Sequence, residues 1–302
     1  VKILIYSMVE VKAIELIYLL LRRVLVYHTY MKPRIAICNI FHQDADTLLE
    51  FATFNDFEGI DWSLDKEQSE KAFTKQIEKL SGLEVRFHCA FPGIDFAYAD
   101  SRADRSMKLL IQTIEQVALV GGKHITVHTG FGHVPADELD FKKAMNNLAI
   151  LVERGKESGI CISLENLSSH WTSDPTLFGE LIAYSGAGVT LDIGHVHTSN
   201  SPCLVGKTFE RYILHNAGNI VNAHIYHTER EGSGHVAPTN LEDIYDRLEL
   251  LRMAESCTWW VIELKNIHDI LHTRNVLNQY FDRSFAQTLS GNEVVKTPQQ
   301  LC

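Results

Sequence analysis

Four things are missing from this sequence: a Cys-x-x-Cys pair, a long uncharged apolar run, an excess of positive charge and a glycine-rich phosphate cradle. Each absence narrows the reading. The six cysteines (38, 89, 161, 203, 257 and 302) are widely spaced. Cys89 and Cys161 fall in or beside apolar strand patterns, where a small buried thiol is the expected role. A reducing, cytoplasmic compartment follows as the expectation. The formal net charge is −10, so no global basic field draws the chain to nucleic acid or anionic membrane, and only a local patch would serve such a partner. What is present suits a soluble globular protein with a substantial core: 45% hydrophobic and 22% charged residues over 302 positions. That length accommodates one large domain or two ordinary ones.

Residues 1–30 stand apart. They are rich in Ile, Leu and Val, but Lys2, Glu10, Lys12, Glu15, Arg22 and Arg23 interrupt them. No uncharged run there approaches the roughly 18–20 residues of a membrane span, and the pattern of a secretory signal is lacking. Three readings are open: an amphipathic helix packed on the domain, a helix lying on a membrane surface, or a non-native extension with translation starting at Met31. The third is favoured. The expected organisation is this extension over 1–30, a catalytic domain over 33–284 and a loose polar tail over 285–302.

From Pro33 onward, short apolar runs alternate with stretches of helical period. Strands are expected at 34–40, 58–62, 84–89, 123–128, 159–165, 188–192, 219–226 and 259–263. Helices are expected at 44–54 with Asp44 as N-cap, 66–80, 102–120 stopped by Gly121-Gly122, 136–157, 175–184, within 208–216, 241–255 and 267–281. Eight strand–helix units across about 250 residues are what a (β/α)8 TIM barrel requires. The strands read as near-continuous apolar runs, as in a parallel sheet covered on both faces. A doubly wound open sheet should carry a Gly-rich first βα turn, and Asn39-Ile-Phe-His-Gln-Asp44 contains no glycine.

In such a barrel, chemistry gathers at the C-terminal ends of the strands. There the sequence puts His88, His128, Glu165, Asp192 with His195, His224 and Glu263, while His235 follows in the loop after strand seven. Taken singly, Asp192-Ile-Gly-His195 reads either as a solvated loop or as a metal corner. Six consecutive strands ending in metal-competent side chains argue for the second, because a carboxylate at the mouth of an apolar strand is costly unless neutralised, and a divalent cation does that well. His124, at the start of strand four, is expected at the surface on the opposite rim. His28, His42, His133, His170, His215, His268 and His272 have no evident partner; His197 and His227 stay open.

Together these stretches resemble the xylose-isomerase-like barrel superfamily, which contains sugar and sugar-phosphate isomerases and epimerases as well as endonuclease IV-type apurinic endonucleases. The resemblance rests on Glu58-Gly-Ile-Asp61, Phe87-His88-Cys-Ala with Ile94-Asp-Phe-Ala97, and Val127-His128-Thr-Gly130. It continues through Ser163-Leu-Glu165-Asn166, Leu191-Asp192-Ile-Gly-His195, Ala223-His224-Ile and Val261-Ile-Glu263. It implies that Glu165, Asp192, His224 and Glu263 hold one divalent metal ion (Mn, Mg, Co or Zn). For an isomerase or epimerase of carbohydrate metabolism, it further implies Glu165 and Glu263 as catalytic acid and base around an enediolate, with His88 and His195 orienting a small sugar or polyol substrate. The endonuclease alternative implies a multinuclear zinc site, with His88 and His128 joining Glu165 and with His195 and His235 in a third group. Here the chain departs from the pattern, carrying Ser233 where the endonucleases have Asp and Pro238-Thr-Asn240 where a Gly-x-Gly is expected. A pocket kept only as a sensor is a third reading, and an oligomer is compatible with all three.

Overall fold

In a computed structural model, residues 32–131, 134–198, 208–230, 232 and 234–290 are described. The N-terminal extension, His133, Ser233 and the end of the expected tail lie outside them. The elements follow the expected order. They are β1 (Arg34–Cys38), α1 (Ala45–Phe54), β2 (Gly59–Ser63), α2 (Glu70–Lys79), β3 (Glu84–His88), α3 (Arg102–Leu119), β4 (His124–Val127) and α4 (Phe141–Glu157). Then come β5 (Cys161–Glu165), α5 (Pro175–Ser185), β6 (Gly188–Asp192), α6 (Ile193–Thr198), α7 (Thr208–Asn216), β7 (Ile220–Ile225), β8 (Thr228–Arg230), β9 (Gly234–Val236), α8 (Tyr245–Leu251), β10 (Trp259–Ile262) and α9 (Ile267–Ser290).

Helix starts are written locally. The Asp44, Ser69, Asp140 and Asp174 side chains each accept a backbone N–H of the helix they precede, and Pro175 follows Asp174 at the first turn. α5 ends at Gly186, whose φ of 70° is the left-handed cap a glycine supplies without strain. Three features differ from expectation. A short helix, α6, follows Asp192 directly, and an antiparallel ribbon of β8 and β9 rises after β7. α9 runs to Ser290, past the expected end at Phe281, and so takes up the start of the expected tail.

Eight strands close in the order β1-β10-β7-β6-β5-β4-β3-β2, all neighbours parallel. This is a (β/α)8 TIM barrel. Because side chains alternate along a strand, one set faces the helices and the other the lumen. Ile35, Ile60, Phe87, Ile125, Ile162, Leu164, Leu191 and Ile262 are buried on the helix side. The alternate positions are more polar than the near-continuous apolar reading implied. Thr126 and Thr190 hydroxyls lie 2.8 Å apart, His124 Nε2 is 2.8 Å from Ser163 Oγ, and Asn222 Nδ2 reaches Thr190 Oγ1 at 3.5 Å.

His124 corrects its surface assignment, being only 4% exposed. It does sit at the lower rim, but that end is closed: the Arg86 guanidinium stacks 4.5 Å over the Trp259 ring and donates to Val221 O at 2.9 Å. Burial, with Arg86 nearby, pulls the His124 imidazole down to about 3, so it stays neutral. Cys89 is buried as expected, whereas Cys161, the first residue of β5, is exposed.

Gly59 shows how tight the lower lumen is. A Cβ there would enter the Trp259 ring and lie 2.6 Å from Glu84 O. Gly59→Ala is therefore expected to destabilise the fold by about 1–3 kcal/mol, as overpacking does, visible as a lower urea midpoint with unchanged slope.

Candidate metal centre

All eight side chains singled out in the sequence meet at the C-terminal mouth of the barrel. Glu165, Asp192 and His224 reach it from the ends of β5, β6 and β7, Glu263 and His128 from the residues after β10 and β4, and His88 from the end of β3. His195 comes from α6 and His235 from β9. Seven are buried and His235 is half-buried.

Two local devices aim the carboxylates. The Asn166 amide bridges β5 to β6, donating to Asp192 O at 3.0 Å and accepting from Asp192 N at 2.8 Å. The N–H of His195 then occupies Asp192 Oδ1 at 2.7 Å. Oδ2 is left buried without a hydrogen-bond partner.

Glu165, Asp192, His224 and Glu263 each offer one ligand atom, all within 4.8 Å of one another. His224 Nδ1 lies 3.0 Å from Glu263 Oε2, 3.3 Å from Glu165 Oε2 and 3.7 Å from Asp192 Oδ2. Donor atoms about 2.1 Å from a shared cation stand roughly 3–3.5 Å apart, so the spacing suits one. The orphaned buried atoms His224 Nδ1, Asp192 Oδ2 and Glu263 Oε2 point the same way. Three carboxylates and one imidazole form a set for a hard or borderline divalent ion.

A second group adjoins it. His88 Nε2, His128 Nε2 and Glu165 Oε2 form a triangle of 3.1, 3.0 and 3.3 Å, with Glu165 common to both groups. The third comprises Asp192, His195 and His235. His195 Nδ1 lies 3.0 Å from Asn166 O and 3.3 Å from Asp192 Oδ2. His235 Nδ1 meets Glu263 O at 2.9 Å.

Imidazoles and carboxylates shift one another strongly in the cluster. Burial pushes the Glu165 carboxyl up, but His224 and His128 outweigh it and hold it well below the carboxylate range. Glu263 is likewise drawn to about 2 by His224 and His235 against burial. Burial lowers the imidazoles, yet the facing carboxylates raise His88 and His195 to about 10 and His224 well above its ordinary value.

Three residues at the site were not singled out as site residues. Asp61, fully buried on β2, lies 3.5 Å from His88 Nδ1 and 3.6 Å from His224 Nε2. Tyr226 stacks on His235 with ring centroids 4.0 Å apart and leaves no room for a Cβ on Gly194. Glu229, on β8, is 3.5 Å from His195 Nε2 and accepts from Ser168 Oγ at 3.1 Å. An acidic residue inside the apolar run Gly59-Ile-Asp-Trp was a usable signal for Asp61; Glu229 carried none, because its approach depends on the ribbon. The open pair, His197 and His227, forms a separate contact. Their rings are 5.0 Å apart, and Arg247 Nη2 lies 3.0 Å from His227 Nδ1. Arg247 also donates to Ile193 O and His227 O, tying the segments after β6 and β7 together.

A closed parallel barrel with carboxylates and imidazoles gathered at its mouth defines a class: TIM barrels whose strand ends bring possible ligand groups together. A profile described as xylose isomerase-like TIM barrel matches residues 49–276, and the chain belongs to that family. The chain is 25% identical over 177 residues to the uncharacterized protein MJ0008 of Methanocaldococcus jannaschii, spanning 59% of this chain and 74% of that one. Among solved structures it is similar to an L-ribulose 3-epimerase (TM-score 0.66, 21% identity, 88% of this chain and 100% of the other). It is also similar to a D-tagatose 3-epimerase-like protein (0.65, 19%, 84% and 99%). Endonuclease IV from Thermus thermophilus is a third such structure (0.60, 14%, 83% and 100%). At these identities the likeness is one of fold. No helix among the described residues is long and apolar enough to cross a membrane.

Since ligation requires unprotonated imidazoles, loading a divalent cation at pH 7 is expected to expel protons. Affinity should then fall as pH drops, because the raised histidines must each give up more tightly held protons. Calorimetric titration in buffers of different ionisation enthalpy counts them; zero net release would contradict the pairing described.

Proposed function

We propose that the protein is a divalent-metal-dependent isomerase or epimerase acting on a ketose, aldose or related polyol, free or phosphorylated. The observation carrying this reading is the convergence of Glu165 and Glu263 with Asp192 and His224 in one buried group. These four would hold the ion, with Mn²⁺, Mg²⁺, Co²⁺ and Zn²⁺ all compatible with the donor set. When bound, such an ion chelates adjacent carbonyl and hydroxyl oxygens and acidifies the neighbouring C–H.

The protein's own part is proton handling. One of Glu165 and Glu263, both held as carboxylates at neutral pH, removes the proton from the substrate carbon to give an enediolate. For isomerisation the same carboxyl returns it to the neighbouring carbon; for epimerisation the other, having taken up a proton, delivers it to the opposite face. His195 and His88 present N–H groups or lone pairs to substrate hydroxyls. Burial of the group keeps bulk water from competing for the proton and strengthens every charge interaction there.

A second reading, an apurinic-site phosphodiesterase, is favoured by the His88–His128–Glu165 triangle and the Asp192–His195–His235 group. Glu229 beside His195 offers a carboxylate for the third group, and the sequence has Ser at 233 where the endonuclease pattern has Asp. The net charge of −10 opposes a polyanionic substrate, which ranks this reading second.

Metal analysis of the purified protein is expected to find one tightly bound ion per chain for the isomerase and two or three for the phosphodiesterase. Incubation of a ketose panel in D2O should introduce deuterium beside the carbonyl. Glu263→Gln is expected to slow that exchange by roughly 10²–10⁴-fold. Cleavage of an abasic-site duplex, lost in Glu165→Gln, with no exchange into any sugar, would overturn the first reading in favour of the second.

A further inference from the structure

We infer that Asp61 is a positioning residue that fixes the ring orientation and tautomer of His88 and His224 together, so that the four-ligand group and the His88–His128–Glu165 group depend on one buried carboxylate. The inference rests on the proposed metal site of Glu165, Asp192, His224 and Glu263; His88 is oriented by the same carboxylate whether its Nε2 meets a substrate hydroxyl or a second cation.

Asp61 is fully buried inside the barrel, and neither of its oxygens has a hydrogen-bond partner at normal length. Oδ2 faces two nitrogens, His88 Nδ1 at 3.5 Å and His224 Nε2 at 3.6 Å, and these also lack hydrogen bonds. The opposite nitrogen of each ring faces a ligand group. His88 Nε2 lies 3.1 Å from His128 Nε2 and 3.3 Å from Glu165 Oε2; His224 Nδ1 lies 3.0 Å from Glu263 Oε2 and 3.3 Å from Glu165 Oε2. The two rings are neighbours, with centroids 5.1 Å apart.

A neutral imidazole has one N–H and one lone pair. If His224 Nδ1 gives its lone pair to the cation and His88 Nε2 gives its own to a substrate hydroxyl or a second cation, the protons reside on His88 Nδ1 and His224 Nε2. Both of those N–H groups then point at Asp61, a carboxylate able to accept two donors. Carboxylate, imidazole and metal in series is a general way to orient a ligand and raise its basicity; here one carboxylate serves two rings. Asp61, His88 and His224 are close enough to hold an ion themselves. Such an ion would take the lone pairs on the wrong side, leaving N–H groups aimed at Glu165 and Glu263 or requiring doubly deprotonated rings. The acceptor role is the one compatible with ligation at the mouth.

The test uses the full chain, stripped of metal and titrated with Co²⁺ followed by its visible absorption, for the wild type, Asp61→Asn and Asp61→Leu. Asparagine can set its one oxygen where Oδ2 stands and still accept from both rings, but without the negative charge. Leucine serves neither. Asp61→Leu is expected to weaken binding about 10–100-fold, and Asp61→Asn to weaken it less. The rise in Tm on metal loading should shrink in both variants even where the metal-free Tm is unchanged, which a merely structural role would not produce. Long-range ¹⁵N–¹H spectra of the loaded wild type, needing no variant, should show His88 protonated at Nδ1 and His224 at Nε2. The opposite tautomers, or wild-type affinity in Asp61→Leu, would overturn the inference while leaving the proposed function intact. A wild type that binds no divalent cation would remove that reading and this one together.

Discussion

Four carboxylates, Asp61, Glu165, Asp192 and Glu263, are buried at one end of a barrel, and the rest of the structure answers that constraint. An isolated carboxylate in such a place would take up a proton rather than stay charged. Here imidazoles lie within 3.0–3.7 Å of them, and the balance keeps Glu165, Glu263 and Asp61 below the ordinary carboxylate range. A cluster of this kind is held by charge compensation, so protons and divalent cations compete for the same atoms. Asn166 and the N–H of His195 contribute by consuming the oxygens and backbone groups that would otherwise compete.

The barrel supports this by dividing labour along its axis. Below the site, Arg86, Trp259 and the hydroxyls of Thr126, Ser163 and Thr190 plug the lumen, and around it the apolar residues of the strands pack on the helices. That half carries stability. At the upper end six of the eight barrel strands carry a His, Asp or Glu at or next to their last residue, and the connecting segments, with the ribbon of β8 and β9, add His195, Glu229 and His235 from outside the barrel. Arg247 joins the segments after β6 and β7, keeping the added groups in place.

Membership of the family does not by itself choose the reaction, since sites grafted on one fold serve different chemistries. The four-ligand group is common to both readings considered for this chain. What separates them is whether the second and third groups act as ligands or as hydrogen-bonding groups toward substrate.

Much of this was legible without coordinates. The alternation of apolar runs with stretches of helical period determined the eight units, because strand and helix periods are local properties. The strand-end positions of His88, His128, Glu165, Asp192, His224 and Glu263 followed from counting along those runs. Tertiary structure decided the rest. His124 is buried because closure of the lower lumen depends on Arg86 and Trp259 from other strands. Asp61 joins the site because barrel closure turns its side of β2 toward His88 and His224. Glu229 arrives through a ribbon whose pairing spans the loop between Thr228 and Val236. Sequence patterns name the residues that end a strand; which nitrogen or oxygen each turns toward its neighbours is set only when the sheet closes on itself.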